Sequence, residues 1–307
     1  MERERHNARY LLVSPCRDEV EYCQETLDSV LAQSSRPALW VIVDDGSTDG
    51  TSAILDRYAA RHPDVIRVVR RRDRGRRSVG PGVVDAFYAG LETVDLDHYD
   101  YLCKLDLDLR LPPDYFATLV AKMEAEPRLG TCSGKPYFVA ANGELVSEAI
   151  GDEVSAGMTK FYRVACFREI GGFVREVMWD GIDCHRCRQA GWMASSWDEP
   201  ALRFVHLRPM GSSDQSILEG RMRHGRGQYF MGTGLGYMAA SALFRMTRRP
   251  WIVGGAAMMA GYLQSMWRRS PRYDDAAFRQ YLRRFQRECL LRGKKAATGR
   301  IHSELAS

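Results

Sequence analysis

The sequence is short of the features that would assign it quickly. Its 307 residues contain no internal repeat and no low-complexity segment, which excludes solenoids and disordered scaffolds. The lone CxxC, Cys184 and Cys187, has no second ligand pair at zinc-site spacing, so both are read as helix residues. The eight cysteines are scattered, several at positions that would be apolar in a strand or helix, as suits reduced thiols. The start, MERERHNARYLLVSPC, is charged and lacks the apolar core and cleavage site of a secretory signal, so a cytoplasmic protein is expected. Acids are scarce late in the chain. Residues 201–307 hold 19 Lys and Arg but 6 Asp and Glu, or +13, and since the whole chain is +5 the first 200 residues carry −8. A basic tail can meet nucleic acid or an anionic membrane, and the residues between the charges must decide which.

What is present reads as an ordinary soluble body, 45% hydrophobic and 27% charged, large enough for one sizeable domain plus an appendage. Short apolar runs (RYLLVSP, ALWVIVDD, VIRVVRR, YDYLCKLDLD) alternate with amphipathic helical patterns (EVEYCQETLDSVLAQ, TSAILDRYAARH, GPGVVDAFYAGLETV, PDYFATLVAKMEAE). That order implies an α/β fold with a mostly parallel central sheet wrapped by helices. Ligands of such sheets sit outside the carboxyl ends of the strands, where VSPCRDE, VDDGSTDGT and LDLDLRLP all fall. Three polar or acidic loops therefore converge on one crevice.

Within the stretch KLDLDLRLPPDYF, Asp106 and Asp108 lie two apart at the end of an apolar run. If the run is extended, both carboxylates point to the same side, a good place for a hard cation. The alternative is a strand running out into a polar turn, with Pro112 and Pro113 starting the next helix.

Taken in order, VSPCRDE, a helix ending in SVLAQ, VIVDDGSTDGT, LDLDLRLP, FREIGGF and WDGIDCHRCRQAGW resemble a family 2 glycosyltransferase of the GT-A fold, over roughly residues 9 to 210. The resemblance implies transfer of a sugar from a nucleotide-diphosphate donor, a UDP-sugar above others, with inversion and with Mg²⁺ or Mn²⁺. It places Asp45 on the base, where a carboxylate suits the N3–H of uracil, and Ser14 in the same base pocket. Asp44, Asp49 and Ser47 fit turn and helix-capping chemistry. Asp108 matches the metal ligand of the family's DxD, Asp106 the contact to ribose or to a metal-bound water, and His206 a late metal or diphosphate ligand. A basic loop beside the donor is common in the family, so Arg76 or Arg77 is expected near phosphate, most of RRRDRGRRSVG being a solvated charge run.

An inverting transfer needs a carboxylate base at the acceptor hydroxyl. Counting back from Arg186 and Gly191 places Asp180 on the family's catalytic acid. Trp179 stands where a glutamate is usual, which leaves Asp183, on the same helical face, as a rival. Cys16 and Arg17 stand where an aromatic and an asparagine are usual. The Q-x-x-R-W motif of processive synthases is missing, so single additions are expected. A sugar nucleotidyltransferase, the alternative of similar architecture, would want a glycine-rich loop after the first strand, which SPCRDE is not. A non-catalytic membrane or nucleic-acid binder would have no use for converging acids, which repel phosphate.

These observations divide the chain into a catalytic domain, 1–210, and a basic helical extension, 211–307. In the extension, residues 227–244 and 251–267 are uncharged, rich in aromatics, Met and small residues, and flanked by arginines on every side. Each is near or under the roughly 20 residues a spanning helix needs, and spanning would put the middle arginines outside. An interfacial hairpin on anionic lipid fits better, making the chain peripheral on the inner face of the plasma membrane, with a glycan or polyprenyl-linked acceptor and no nucleic acid. A helical cap or an interface in a homo-oligomer is the competing reading of the same helices.

Overall fold

In the computed structural model, which describes residues 8–73, 75, 80–208, 217–248 and 250–304, the chain forms two compact units. The first comprises residues up to Phe173 together with Trp192–Arg208, and the second comprises Val174–Gly191 with the C-terminal helices. The segment Val174–Gly191 thus groups with the C-terminal helices although it lies within residues 1–210.

The first unit opens with the alternation that the apolar runs imply: β1 (Tyr10–Cys16), α1 (Cys23–Leu31), β2 (Leu39–Asp44), α2 (Thr51–Arg61), β3 (Ile66–Arg70), α3 (Pro81–Leu91) and β4 (Tyr101–Leu105). It continues through β5 (Leu109–Arg110), α4 (Tyr115–Ala125), β6 (Leu129–Ser133), β7 (Lys135–Val139), β8 (Leu145–Ser147), β9 (Thr159–Arg163) and α5 (Val164–Glu169). After the chain returns from the second unit come β10 (Met193–Ser196) and β11 (Arg203–His206).

Seven strands form one sheet in the order β10-β6-β9-β4-β1-β2-β3, parallel except at β9, which runs antiparallel to both neighbours. The central strands are buried on both faces, so they read as continuous apolar runs rather than alternating ones. One face of β1 and β2 (Tyr10, Leu12, Trp40, Ile42) joins the main core with Leu27, Phe116 and Phe161. The registers Cys16↔Asp44 and Val13↔Lys104 bring β1, β2 and β4 to a common carboxyl edge. A second sheet, β5-β11-β7-β8, begins where β4 ends, because Leu107 and Leu109 both bury and draw the chain out of the first sheet. The two acids of LDLDL therefore lie in the bend between two sheets, and the expected extended strand through them stops at Leu105.

The second unit is helical: α6 (Trp179–Gln189), α7 (Ile217–Met231), α8 (Leu235–Met246), α9 (Val253–Trp267), α10 (Ala276–Arg292) and α11 (Lys294–Glu304). The apolar run 227–244 is split at residues 232–234, where Gly232 takes a φ of 94°. Among the described residues no helix is long and apolar enough to cross a membrane. Helices α7 and α9 touch backbone to backbone: a Cβ on Gly225 would lie 1.9 Å from the Met258 carbonyl oxygen, and one on Gly261 would lie 2.1 Å from that of Met222. Backbone cannot yield as a side chain tip can. Gly225→Ala is therefore expected to destabilise the chain by about 1–3 kcal/mol, the range for overpacking, and at the upper end of it because backbone is in the way. A melting temperature equal to wild type would show that the helices do not pack this closely.

Candidate functional site

Two clusters occupy the carboxyl edge of the first sheet, and each is built from loops that the strand registers bring together. The first surrounds Asp45. Beside it, Asp44 is consumed by the turn, accepting from the Ser47 N–H (2.9 Å) and the Ser52 hydroxyl (2.5 Å). Asp49, just ahead of α2, accepts from the Thr51 N–H and hydroxyl in a local turn, and Ser47 accepts from the Asp18 N–H. These are the turn roles their residue types suggest. Asp45 itself is buried and its Oδ1 accepts from Arg71 at 2.8 Å. Arg17 donates to the Asp45 carbonyl oxygen (3.0 Å) and to Asp73 (2.7 Å), tying the first loop to the segment after β3. Gly46, at a φ of 78°, permits this approach, since a Cβ there would stand 2.4 Å from the Asp73 Cα. A carboxylate presents about four lone-pair directions, and a ring N–H of a base is a donor it can accept. Ser14 is fully buried and its hydroxyl accepts from the Trp40 indole at 2.8 Å, so the expected place in a base pocket is not open to a ligand in this structure. Arg76 and Arg77 lie outside the described residues.

The second cluster centres on Asp108, whose residue is 5% exposed. Its backbone carbonyl accepts from the Leu207 N–H, and the antiparallel pairing His206↔Leu109 lays the end of β11 alongside it. Asp108 Oδ2 accepts from Arg208 Nη2 at 2.7 Å and lies 3.5 Å from His206 Nε2. His206 Nδ1 faces Glu148 Oε2 at 3.0 Å, which directs its other nitrogen toward Asp108. Arg208 also donates to Glu19 at 2.9 Å, and its guanidinium stands 5.4 Å over the Tyr22 ring. Burial alone would raise the Asp108 carboxyl, but hydrogen bonding and charge from His206 and Arg208 hold it down at about 2. For His206, burial acts to lower the pKa, and the Asp108 and Glu148 carboxylates overcome it, pushing the imidazole up to about 9. Asp106 is separated from this group by its partner: its carboxylate pairs with the buried Lys104 ammonium, which also donates to the Gly157 carbonyl, and its side chain is 33% exposed.

One oxygen of Asp108 itself is left over. Asp108 Oδ1 is buried and accepts no hydrogen bond. A buried carboxylate oxygen without a donor is costly, and a hard cation is the partner its chemistry suits. His206 Nε2, 3.5 Å from Asp108 Oδ2, becomes a second donor once a cation displaces the proton that its raised pKa otherwise holds. Among the described residues no three His, Cys, Asp or Glu side chains are arranged to hold an ion unaided. The donor set therefore fits a cation that takes its remaining ligands from substrate phosphate and water, the habit of Mg²⁺ and Mn²⁺ at phosphate sites.

Of the residues singled out in the sequence, Asp45, Asp108 and His206 lie in these clusters, joined by Glu19, Glu148, Arg71 and Arg208, for which the sequence suggested no such place. Glu19 lies within the quoted loop SPCRDE, and Arg208 two residues past His206, so both sat beside a flagged residue. Nothing local marks Glu148, which the β7–β8 pairing carries into place. The two candidate bases lie in the second unit. Asp180 is exposed in the first turn of α6, whereas Asp183 is buried with Oδ1 accepting from the Cys184 N–H at 2.6 Å.

Residues 12–148 match the family model described as glycosyl transferase family 2. An uncharacterised protein of Mycobacterium tuberculosis is 40% identical over 138 residues, 45% of this chain and 38% of that protein. The match thus spans about two fifths of that relative's length. Among solved structures, a mannosyltransferase from Pyrobaculum calidifontis in complex with GDP-Man and Mn²⁺ is 16% identical with a TM-score of 0.52, covering 97% of this chain and 85% of its own. Staphylococcus aureus TarS in complex with UDP-GlcNAc is 13% identical with a TM-score of 0.51, covering 97% and 90%. At such identities the shared property is the fold, which is GT-A.

Proposed function

We propose, from the premise that this chain carries a glycosyl transferase family 2 domain of GT-A fold over residues 12–148, that it moves a sugar with inversion from a nucleotide-diphosphate donor to a hydroxyl. The observation that carries the reading is Asp108: a buried carboxylate at the sheet's carboxyl edge, pulled strongly acidic, with one oxygen still lacking a donor. Asp108, with His206 held by Glu148, would bind a divalent cation whose charge neutralises the departing diphosphate. Asp45 accepts a ring N–H of the base, which favours uracil, and Arg71 fixes the carboxylate for it. Arg208 supplies a cation beside the diphosphate position. Asp180, exposed in the first turn of α6, is the general base. The test is turnover with a panel of nucleotide sugars and Mn²⁺. Release of UDP from at least one UDP-sugar is expected, and a chain that releases no nucleotide from any of them is not a transferase of this kind.

The acceptor is proposed to be a glycan or a polyprenyl-linked one, met at an anionic membrane on the inner face of the plasma membrane. Support comes from the turn joining α8 and α9, where Leu243, Phe244, Trp251, Ile252 and Val253 are all exposed and Arg245 and Arg248 flank them. Burying Trp251 and Ile252 in the interface is worth about 1.5–3 kcal/mol each, and each nearby arginine about 1 kcal/mol on an anionic surface. Trp251→Glu with Ile252→Glu is expected to reduce flotation with anionic vesicles at least about tenfold, and added salt to weaken what remains. Undiminished flotation of the double variant would remove this turn as the anchor.

A further inference from the structure

The second unit carries an open groove of about 460 Å³ that the transferase reading does not use, lined by Arg272, Ala276, Arg279, Gln280, Arg283 and Arg287, all exposed except the half-buried Arg279. Its volume lies within the roughly 300–1,000 Å³ of small-ligand sites. Four of its six lining residues are arginines and none is acidic. Arg279, Arg283 and Arg287 follow one another at four-residue intervals along α10, so like charges stack on one face of the helix, an arrangement that destabilises a helix. Elsewhere on the same helix the charge is balanced: Arg292 pairs with Glu288 at 3.1 Å, and Arg300 of α11 reaches the same carboxylate at 3.4 Å. The groove arginines have no such acid among the described residues.

Two of them are also held in place. The Arg272 guanidinium sits 4.5 Å over the Tyr229 ring, and Arg279 donates to the Tyr273 carbonyl while its stem packs on Gly232. Ordering guanidinium groups before binding reduces the entropy lost when they engage a ligand. Tyr229 is itself locked in the cluster with Met238, Met258 and Tyr262, so the platform under Arg272 is rigid. Planar forks converging on one volume suit tetrahedral oxyanions, each oxygen accepting two N–H groups.

We propose that this groove is a binding site for a phosphate or diphosphate group, separate from the acidic cluster at the sheet edge and independent of the transferase assignment. A soluble phosphate and the headgroup of an anionic lipid present the same chemistry here. Trp267, five residues before Arg272 and 83% exposed, supplies an apolar neighbour in sequence that a lipid could use.

The experiment uses the full chain in EDTA, which silences cation-dependent binding at Asp108. Inorganic pyrophosphate is titrated calorimetrically, and vesicles of phosphatidylcholine with and without phosphatidylglycerol are tested by flotation. Two double variants are compared with wild type: Arg283→Glu with Arg287→Glu, and Arg283→Lys with Arg287→Lys. Pyrophosphate affinity is expected to fall at least about tenfold in the glutamate pair and severalfold in the lysine pair, which keeps the charge but loses the fork. The glutamate pair should melt no lower than wild type, since it relieves repulsion along α10. If pyrophosphate fails to bind but phosphatidylglycerol vesicles do, and both variants lose that binding, the site is for a lipid headgroup and the proposal stands. If the lysine pair binds both probes as wild type does, or if neither probe binds wild type, the groove is only a basic face and the proposal falls.

Discussion

Asp108→Asn is expected to abolish the cation-dependent part of nucleotide-sugar binding, lowering donor affinity in Mn²⁺ by at least about 10²-fold, while leaving a folded protein. The asparagine keeps the shape but replaces an anionic oxygen with a neutral amide, and Asp108 Oδ1 is the buried acceptor with no donor of its own. The exchange also has a structural cost that a solvated strand end would not carry. Asp108 is buried against Arg208 and His206, and its carboxyl is held at about 2 against an ordinary 3.8. A depressed carboxyl contributes stability that is fully present above the unfolded value and is lost as pH falls through the folded one. At neutral pH the mutant therefore forfeits about 2 kcal/mol, read as a melting temperature a few degrees lower. Titration of UDP with and without Mn²⁺, on protein shown by circular dichroism to be folded, separates the two effects. An unchanged Mn²⁺-dependent increment in affinity would reassign the cation site.

Four of the first sheet's seven strands, β1 to β4, were legible as apolar runs, β1, β2 and β4 because they are buried on both faces, whereas β6, β9 and β10 were not read from the sequence. LLV, WVIV and YLC admit few other readings between amphipathic helices, and the helices fall where their periodicity puts them. The candidate site was legible only in part, for a physical reason. Asp45 and Asp108 terminate apolar runs, and a run that ends in an acid advertises itself. Their partners are contributed by pairings distant in sequence: Arg208 lies 100 positions from Asp108, and Glu148 lies 58 from His206. No periodicity encodes such contacts. The extended geometry assumed for Asp106 and Asp108 failed for a related reason. Leu107 is buried, so the chain bends to place it, and one acid is left beside Lys104 while the other turns toward His206. In the C-terminal helices the apolar composition of 227–244 masked a break, because Gly232 to Gly234 read equally well as small residues of one helix or as the corner between two.

Asp180→Asn should leave donor affinity nearly intact and cut the rate of transfer by on the order of 10²-fold or more, the range for loss of a general base. On the proposed reading the base acts only when the acceptor hydroxyl attacks, whereas donor binding rests on Asp45 and on a cation at Asp108. Placement within α6 favours Asp180 over Asp183, the rival on the same helix. Asp180 is exposed in the first turn, where a carboxylate also interacts favourably with the positive end of the helix. Asp183 is 1% exposed and accepts from the Cys184 N–H, in a helix whose buried face includes Ile182, Cys187 and Arg188. A buried acid bound to its own helix cannot reach an acceptor without leaving those contacts, so Asp183→Asn should lower stability and spare the rate. Transfer is measured for both variants at saturating donor, alongside their melting temperatures. A near-normal rate in Asp180→Asn together with a collapsed rate in a fully folded Asp183→Asn would move the base three residues along, and would require α6 to rearrange when the acceptor binds.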